Sequence, residues 1–170
     1  MFVLGIDPGL TRCGFGLVEG EMNGPEGFRA VRAGVLESAH TDAVELRLGH
    51  LTRDLRELYD ELRPDVVVVE RVFFQKNAKT AIGVSQASGL AIGLAAERSL
   101  PVRQFTAQEV KLAVTGYGAA TKSQVQAMVA THCRLDAAPE PPDAADALAL
   151  AIAYLSVERM ERRLSAGATS

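Results

Sequence analysis

The chain opens on an apolar run, Val3-Leu4-Gly5-Ile6, that stops at an acid, Asp7, followed by the turn formers Pro8-Gly9. Two further runs rich in β-formers, Cys13 to Gly20 and about Gly27 to Glu37, are set off by that turn and by Asn23-Gly-Pro, so the first third predicts three strands in an antiparallel start. The pattern then changes period. From Asp42 to Leu62 the apolar residues Val44, Leu48, Leu51, Leu55, Leu58 and Leu62 recur at spacings of three and four, one face of an amphipathic helix that Pro64 ends. Val66-Val67-Val68-Val69 predicts a strand over 65–70, buried on both faces of a sheet. A polar segment from Arg71 to Lys79 precedes a small-residue helix from about Ala81 to Arg98, and Pro101 to Phe105 reads as a short fifth strand. Thr106 and Thr121 are placed as N-caps of two more helices, and Pro142 as the first residue of the last one. The fold class expected is α/β, a five-stranded mixed sheet flanked by helices on both faces. Residues 1–157 are expected to form a single domain, and the charged stretch from Glu158 to Ser170 a frayed tail.

Composition narrows the setting. At 170 residues and 48% hydrophobic content the chain suffices for one well-packed domain, and no run approaches 18 unbroken apolar residues. The expectation is a soluble, cytoplasmic protein with no membrane association. Its two cysteines, Cys13 and Cys133, are expected reduced, with Cys133 beside His132 read as packing rather than zinc ligation. The net charge of -3 conceals an asymmetry. Residues 71–132 hold Arg71, Lys76, Lys79, Arg98, Arg103, Lys111 and Lys122 against only Glu97 and Glu109, a balance of +5 that leaves -8 elsewhere. A basic middle beside acidic ends suits a phosphate-binding face next to a cation-binding cluster.

The candidate chemistry lies in four acids. Asp7 and Glu70 end two apolar strands, where an open sheet presents functional groups, and Asp143 and Asp146 share a helix face at a spacing of three. Four oxygen donors suit Mg²⁺ or Mn²⁺, and a pair of such ions about 4 Å apart supports phosphodiester hydrolysis. Taken singly, Asp7-Pro-Gly is a common turn and Asp143 an acid favoured by a helix N-terminus. Glu70 is harder to dismiss, because a charge closing four valines is costly unless paired or bound to metal.

With these acids in place the chain resembles the RuvC family of Holliday-junction resolvases, within the RNase H-like nuclease superfamily. The resemblance rests on Gly5-Ile-Asp-Pro-Gly, Val69-Glu-Arg-Val-Phe-Phe, Gly116-Tyr-Gly with Thr121-Lys-Ser-Gln-Val-Gln, and Asp143-Ala-Ala-Asp-Ala-Leu-Ala. It implies an RNase H-like fold and a metal-dependent endonuclease that cuts four-way DNA junctions in recombination and repair. Asp7, Glu70, Asp143 and Asp146 match the family's catalytic acids, which hold two Mg²⁺ or Mn²⁺ ions per site. Lys111 and Lys122 match its phosphate-contacting lysines, and Phe73 its aromatic that stacks on unpaired bases. Arg71, Lys76 and Lys79 are further candidate backbone contacts. The resemblance also implies a homodimer, to which the small residues Gly83 to Ala95 are assigned, and a branch-migration motor complex of the RuvA-RuvB type as partner. Three rivals remain open: an actin-like ATPase or sugar kinase, whose two related domains 170 residues do not supply, a junction-binding module without chemistry, and a nuclease for structured RNA.

Overall fold

A computed structural model describes residues 1–21, 27–71 and 78–167, with the side chains of the last stretch described from residue 81. Five strands form one sheet in the order β3-β2-β1-β4-β5: β1 Phe2–Asp7, β2 Arg12–Glu19, β3 Arg29–Glu37, β4 Val66–Glu70 and β5 Val102–Phe105. The first three run antiparallel to one another, and β4 and β5 join β1 in parallel. The sheet expected from the hydrophobic pattern is the sheet observed, and the Asn23-Gly-Pro turn lies outside the described residues.

Five helices cover both faces: α1 Val44–Leu62, α2 Ala78–Glu97, α3 Ala107–Thr115, α4 Lys122–Cys133 and α5 Pro142–Gly167. Strand alternation sorts the core into two layers. Leu4, Ile6, Val67 and Val69 face α1 and α2, where they meet Leu51, Leu55, Leu58, Tyr59, Ala87 and Ala91. Val3, Val18, Val66 and Val68 face α3, α4 and α5. The four valines of β4 are all buried because helices lie on each side of it. Both cysteines are free and buried, in opposite layers, and His132 hydrogen-bonds the Val114 carbonyl at 2.9 Å.

Local signals explain most helix boundaries. Thr106 and Thr121 each form a full capping box, with Glu109 and Gln124 respectively, satisfying the first free amides of α3 and α4. Arg63 ends α1 in the left-handed region, its N–H reaching the Tyr59 carbonyl, because Pro64 behind it disfavours another helical residue. Helix α2 begins three residues ahead of its expected start.

The expected frayed tail needs correction: α5 continues through Gly167. Arg159 anchors the start of that extension, and residues 160–167 beyond it are exposed. Its guanidinium donates to the Glu21 carbonyl at 2.9 and 2.6 Å and to the Gly27 carbonyl at 3.3 Å, and it lies 4.3 Å from the centre of the Phe28 ring. A charged residue inside a polar stretch is thus buried by hydrogen-bonding main-chain oxygens, which hydrophobic periodicity does not reveal.

A row of glycines sets how α5 sits. Gly5 in β1 and Gly14 and Gly16 in β2 lie under it, and a Cβ at Gly5 would stand 1.9 Å from the Ala147 carbonyl oxygen, one at Gly14 2.2 Å from that of Asp143. Only residues without side chains allow backbone to approach this closely.

Candidate active site

In β1 the residues Val3, Gly5 and Asp7 share the α5 face, and in β4 Val66, Val68 and Glu70 do the same. The parallel register pairs Ile6 with Val69, so Asp7 and Glu70 end adjacent strands side by side at the carboxyl edge of the sheet. Helix α5 enters above them with Asp143 in its first turn and Asp146 one turn along. Its docking on the glycine row brings these four carboxylates together from three elements.

The electrostatic consequence is largest at Asp7. Burial, then the neighbouring carboxylates of Glu70 and Asp146, push its pKa up to about 7, and a hydrogen bond to Glu70 and the charge of Asp143 add to the rise. Burial also raises Glu70, partly offset by that same hydrogen bond. Such crowding of like charges is unfavourable in isolation. Two basic groups answer it: Lys122 Nζ lies 2.5 Å from Asp146 Oδ2, and Arg12 Nε donates to Asp143 Oδ2 at 3.0 Å. The Asp146 carboxylate in turn raises the Lys122 pKa.

Asp7, Glu70, Asp146, Lys111 and Lys122 line one cavity of about 250 Å³, whose remaining wall is apolar, with Val110 and Val125 prominent. Asp143 is tied to Arg12 beside it. Among the described residues no group of three or more His, Cys, Asp or Glu forms a preformed metal cage. Asp143 and Asp146 each give one oxygen to a basic side chain, Arg12 and Lys122 respectively. The donor set itself, four carboxylates with no sulfur or imidazole, fits a hard divalent cation.

The other expected site residues scatter. Arg71 directly follows Glu70; its N–H donates to the Phe105 carbonyl at 2.7 Å and its guanidinium reaches the Gln104 carbonyl at 3.4 Å on an exposed edge. Phe73 and Lys76 lie outside the described residues, as does the side chain of Lys79 at the start of α2. Sequence reasoning passed over Arg12 and the glycine row. Arg12 sits in a turn-and-strand start that looks generic, while glycines at alternate positions of β2 were a legible sign of close packing on one face.

The family model described as crossover junction endodeoxyribonuclease RuvC matches residues 3–154. The chain belongs to the RuvC family. A RuvC relative named crossover junction endodeoxyribonuclease, from Salinispora arenicola (strain CNS-205), is 50% identical over 168 residues, covering 99% of this chain and 95% of that one. Among solved structures, Thermus thermophilus RuvC is 34% identical with a TM-score of 0.87, covering 95% of this chain and 97% of that one. T. thermophilus RuvC in complex with Holliday junction substrate gives 34% identity and a TM-score of 0.88, covering 95% and 96%. The RNase H-like fold expected from the RuvC resemblance therefore stands. Among the described residues no helix is long and apolar enough to cross a membrane.

Proposed function

We propose that this chain is a crossover junction endodeoxyribonuclease that resolves four-way DNA junctions in recombination and repair, with Asp7, Glu70, Asp143 and Asp146 as its catalytic and metal-binding acids. The observation that carries the reading is the meeting of these acids with Lys111 and Lys122 in and beside one cavity at the sheet edge. Family membership supplies the reaction class. The four acids would hold two Mg²⁺ or Mn²⁺ ions, which would supply charge neutralisation at the scissile phosphate and lower the pKa of water there towards neutrality.

The chain's own groups do the rest. Asp7, buried and crowded by Glu70 and Asp146, has its pKa pushed up to about 7, and as a cation ligand it would act in its deprotonated form. Lys122 leaves Asp146 for a phosphate oxygen, and Lys111 contacts the backbone from the neighbouring helix. The apolar wall formed by Val110 and Val125 limits solvent around the reacting phosphate. Cleavage leaves 5′-phosphate and 3′-hydroxyl ends without a covalent enzyme intermediate. Phe73 stacks on a base unpaired at the crossover, and Arg71, Lys76 and Lys79 contact the backbone beside it. A homodimer delivers one subunit to each opposed strand, working in the cytoplasm with a motor of the RuvA-RuvB type.

The test is a labelled mobile four-way junction, a linear duplex and a structured RNA, each incubated with the protein in Mg²⁺, Mn²⁺ or EDTA. Paired, metal-dependent nicks in the junction alone are expected, and are abolished by Asp7→Asn, Glu70→Gln or Asp146→Asn with junction binding retained. Preferential cutting of the RNA, or full activity in EDTA, defeats the proposal.

A further inference from the structure

Arg12 opens β2 and faces Glu37 at the end of β3 in the strand register. It shares the α5 side of β2 with Gly14 and Gly16, whose missing side chains let α5 settle against the sheet at Asp143 and Leu148 respectively. From there the guanidinium splits its donors between two acids. Nε reaches Asp143 Oδ2 at 3.0 Å, while a terminal nitrogen bonds Glu37 Oε1. An arginine that grips a carboxylate with both prongs of its fork occupies both oxygens. Here the fork is divided, so Arg12 takes Asp143 through Oδ2 and is itself held by Glu37.

We propose that Arg12, braced by Glu37, is a positioning residue that fixes the Asp143 carboxylate so that its other oxygen is presented to a divalent cation in the site. The inference rests on reading the four acids as cation ligands and adds two residues behind them. Folding alone does not account for the arrangement. The paired side chains are 42% and 31% exposed, and ion pairs this open add little to stability. Two effects on cation binding oppose each other. Removing the guanidinium deletes a positive charge near the site, which in solvent favours a cation by only about a few-fold. Releasing the carboxylate from its partner costs about 10- to 100-fold in affinity, the usual range for residues that orient a metal ligand. The positional loss is the larger.

The experiment measures Mn²⁺ binding to DNA-free protein from the loss of the free-ion paramagnetic resonance signal, for the parent chain, Arg12→Ala, Arg12→Lys and Glu37→Gln. Arg12→Ala is expected to weaken Mn²⁺ binding by about tenfold or more. Arg12→Lys, which keeps a charge but not the divided fork, falls between it and the parent. Glu37→Gln weakens binding in the same direction by a smaller factor, and serves as the deciding variant if Arg12→Ala does not fold. Melting temperatures in EDTA stay within a few degrees of the parent. Unchanged or tighter Mn²⁺ binding in Arg12→Ala overturns the proposal, as does unchanged binding in Glu37→Gln. Failure of the parent chain to bind Mn²⁺ would instead overturn the metal-site reading on which it rests.

Discussion

Placing a methyl group at Gly5 is the sharpest probe of how this site is assembled. In Gly5→Ala the new Cβ would lie 1.9 Å from the Ala147 carbonyl oxygen and 3.1 Å from the Ala151 nitrogen, both backbone atoms of α5. Carbon–oxygen contacts settle near about 3.3 Å, so strand and helix must separate by roughly 1 to 1.5 Å. Whichever moves, the gap between Asp7 and Asp146 changes, because each sits within two residues of the clash. Metal–ligand distances tolerate about 0.2 Å, and a misplacement of about 1 Å at a reacting centre costs on the order of 100-fold in rate. Because the atoms met are backbone and cannot swing aside, the stability cost lies at or above the upper end of ordinary overpacking, about 3 kcal/mol or more, which is roughly 6 to 12 °C or more in melting temperature for a chain of this size. Single-turnover cutting of a labelled junction, run well below both melting points, should therefore fall about 100-fold while binding in EDTA is nearly preserved. Gly49→Ala is the control: nothing lies within 4 Å of its Cβ on the exposed face of α1, and the change should gain up to about 1 kcal/mol with cleavage unaffected. Cutting by Gly5→Ala within about threefold of the parent would refute the claim that the glycine row sets the spacing of the acids.

Other outcomes follow from the charges. Because the folded-state pKa of Asp7 is raised to about 7 from 3.8, this group's contribution in metal-free protein is fully present below about pH 4 and is lost as pH rises through 7. Asp7→Asn removes the penalty, so in EDTA its stability should gain on the parent's progressively between about pH 4 and 7, by at most about 4 kcal/mol in unfolding free energy; a gap that does not widen across that window rejects this. Lys111→Ala and Lys122→Ala should each flatten the salt dependence of junction binding by about one counterion, whereas equal slopes would leave the lysines without a phosphate role. Phe73→Ala should cost roughly 1 to 3 kcal/mol in junction binding and nothing on linear duplex, and equal loss on both with a lowered melting temperature would place the ring in the core instead.

The fold was legible wherever one period dominated. Four valines closing on Glu70, the three-four spacing in α1 and the threonine caps each matched a physical requirement strong enough to survive tertiary context. Two strand-end acids and an i, i+3 pair were likewise readable as one cluster. What escaped depends on contacts between distant segments. Nothing around Arg159 marks it as buried, since its partners are main-chain oxygens at Glu21 and Gly27. Nothing around Arg12 points to Asp143, 131 residues away, until α5 docks.

That separation in sequence has a consequence for the order of synthesis. The strand carrying Asp7 emerges well ahead of the helix that completes the cluster, with four strands and four helices of the described residues made between Asp7 and α5. At about 5 to 20 residues per second, Asp143 follows Arg12 by roughly 10 s. Until then the sheet edge bears only Asp7 and Glu70, with no counterpart above them. On the reading of these four acids as the metal-binding set, a chain stopped ahead of α5 would carry half of the set and would not cut DNA.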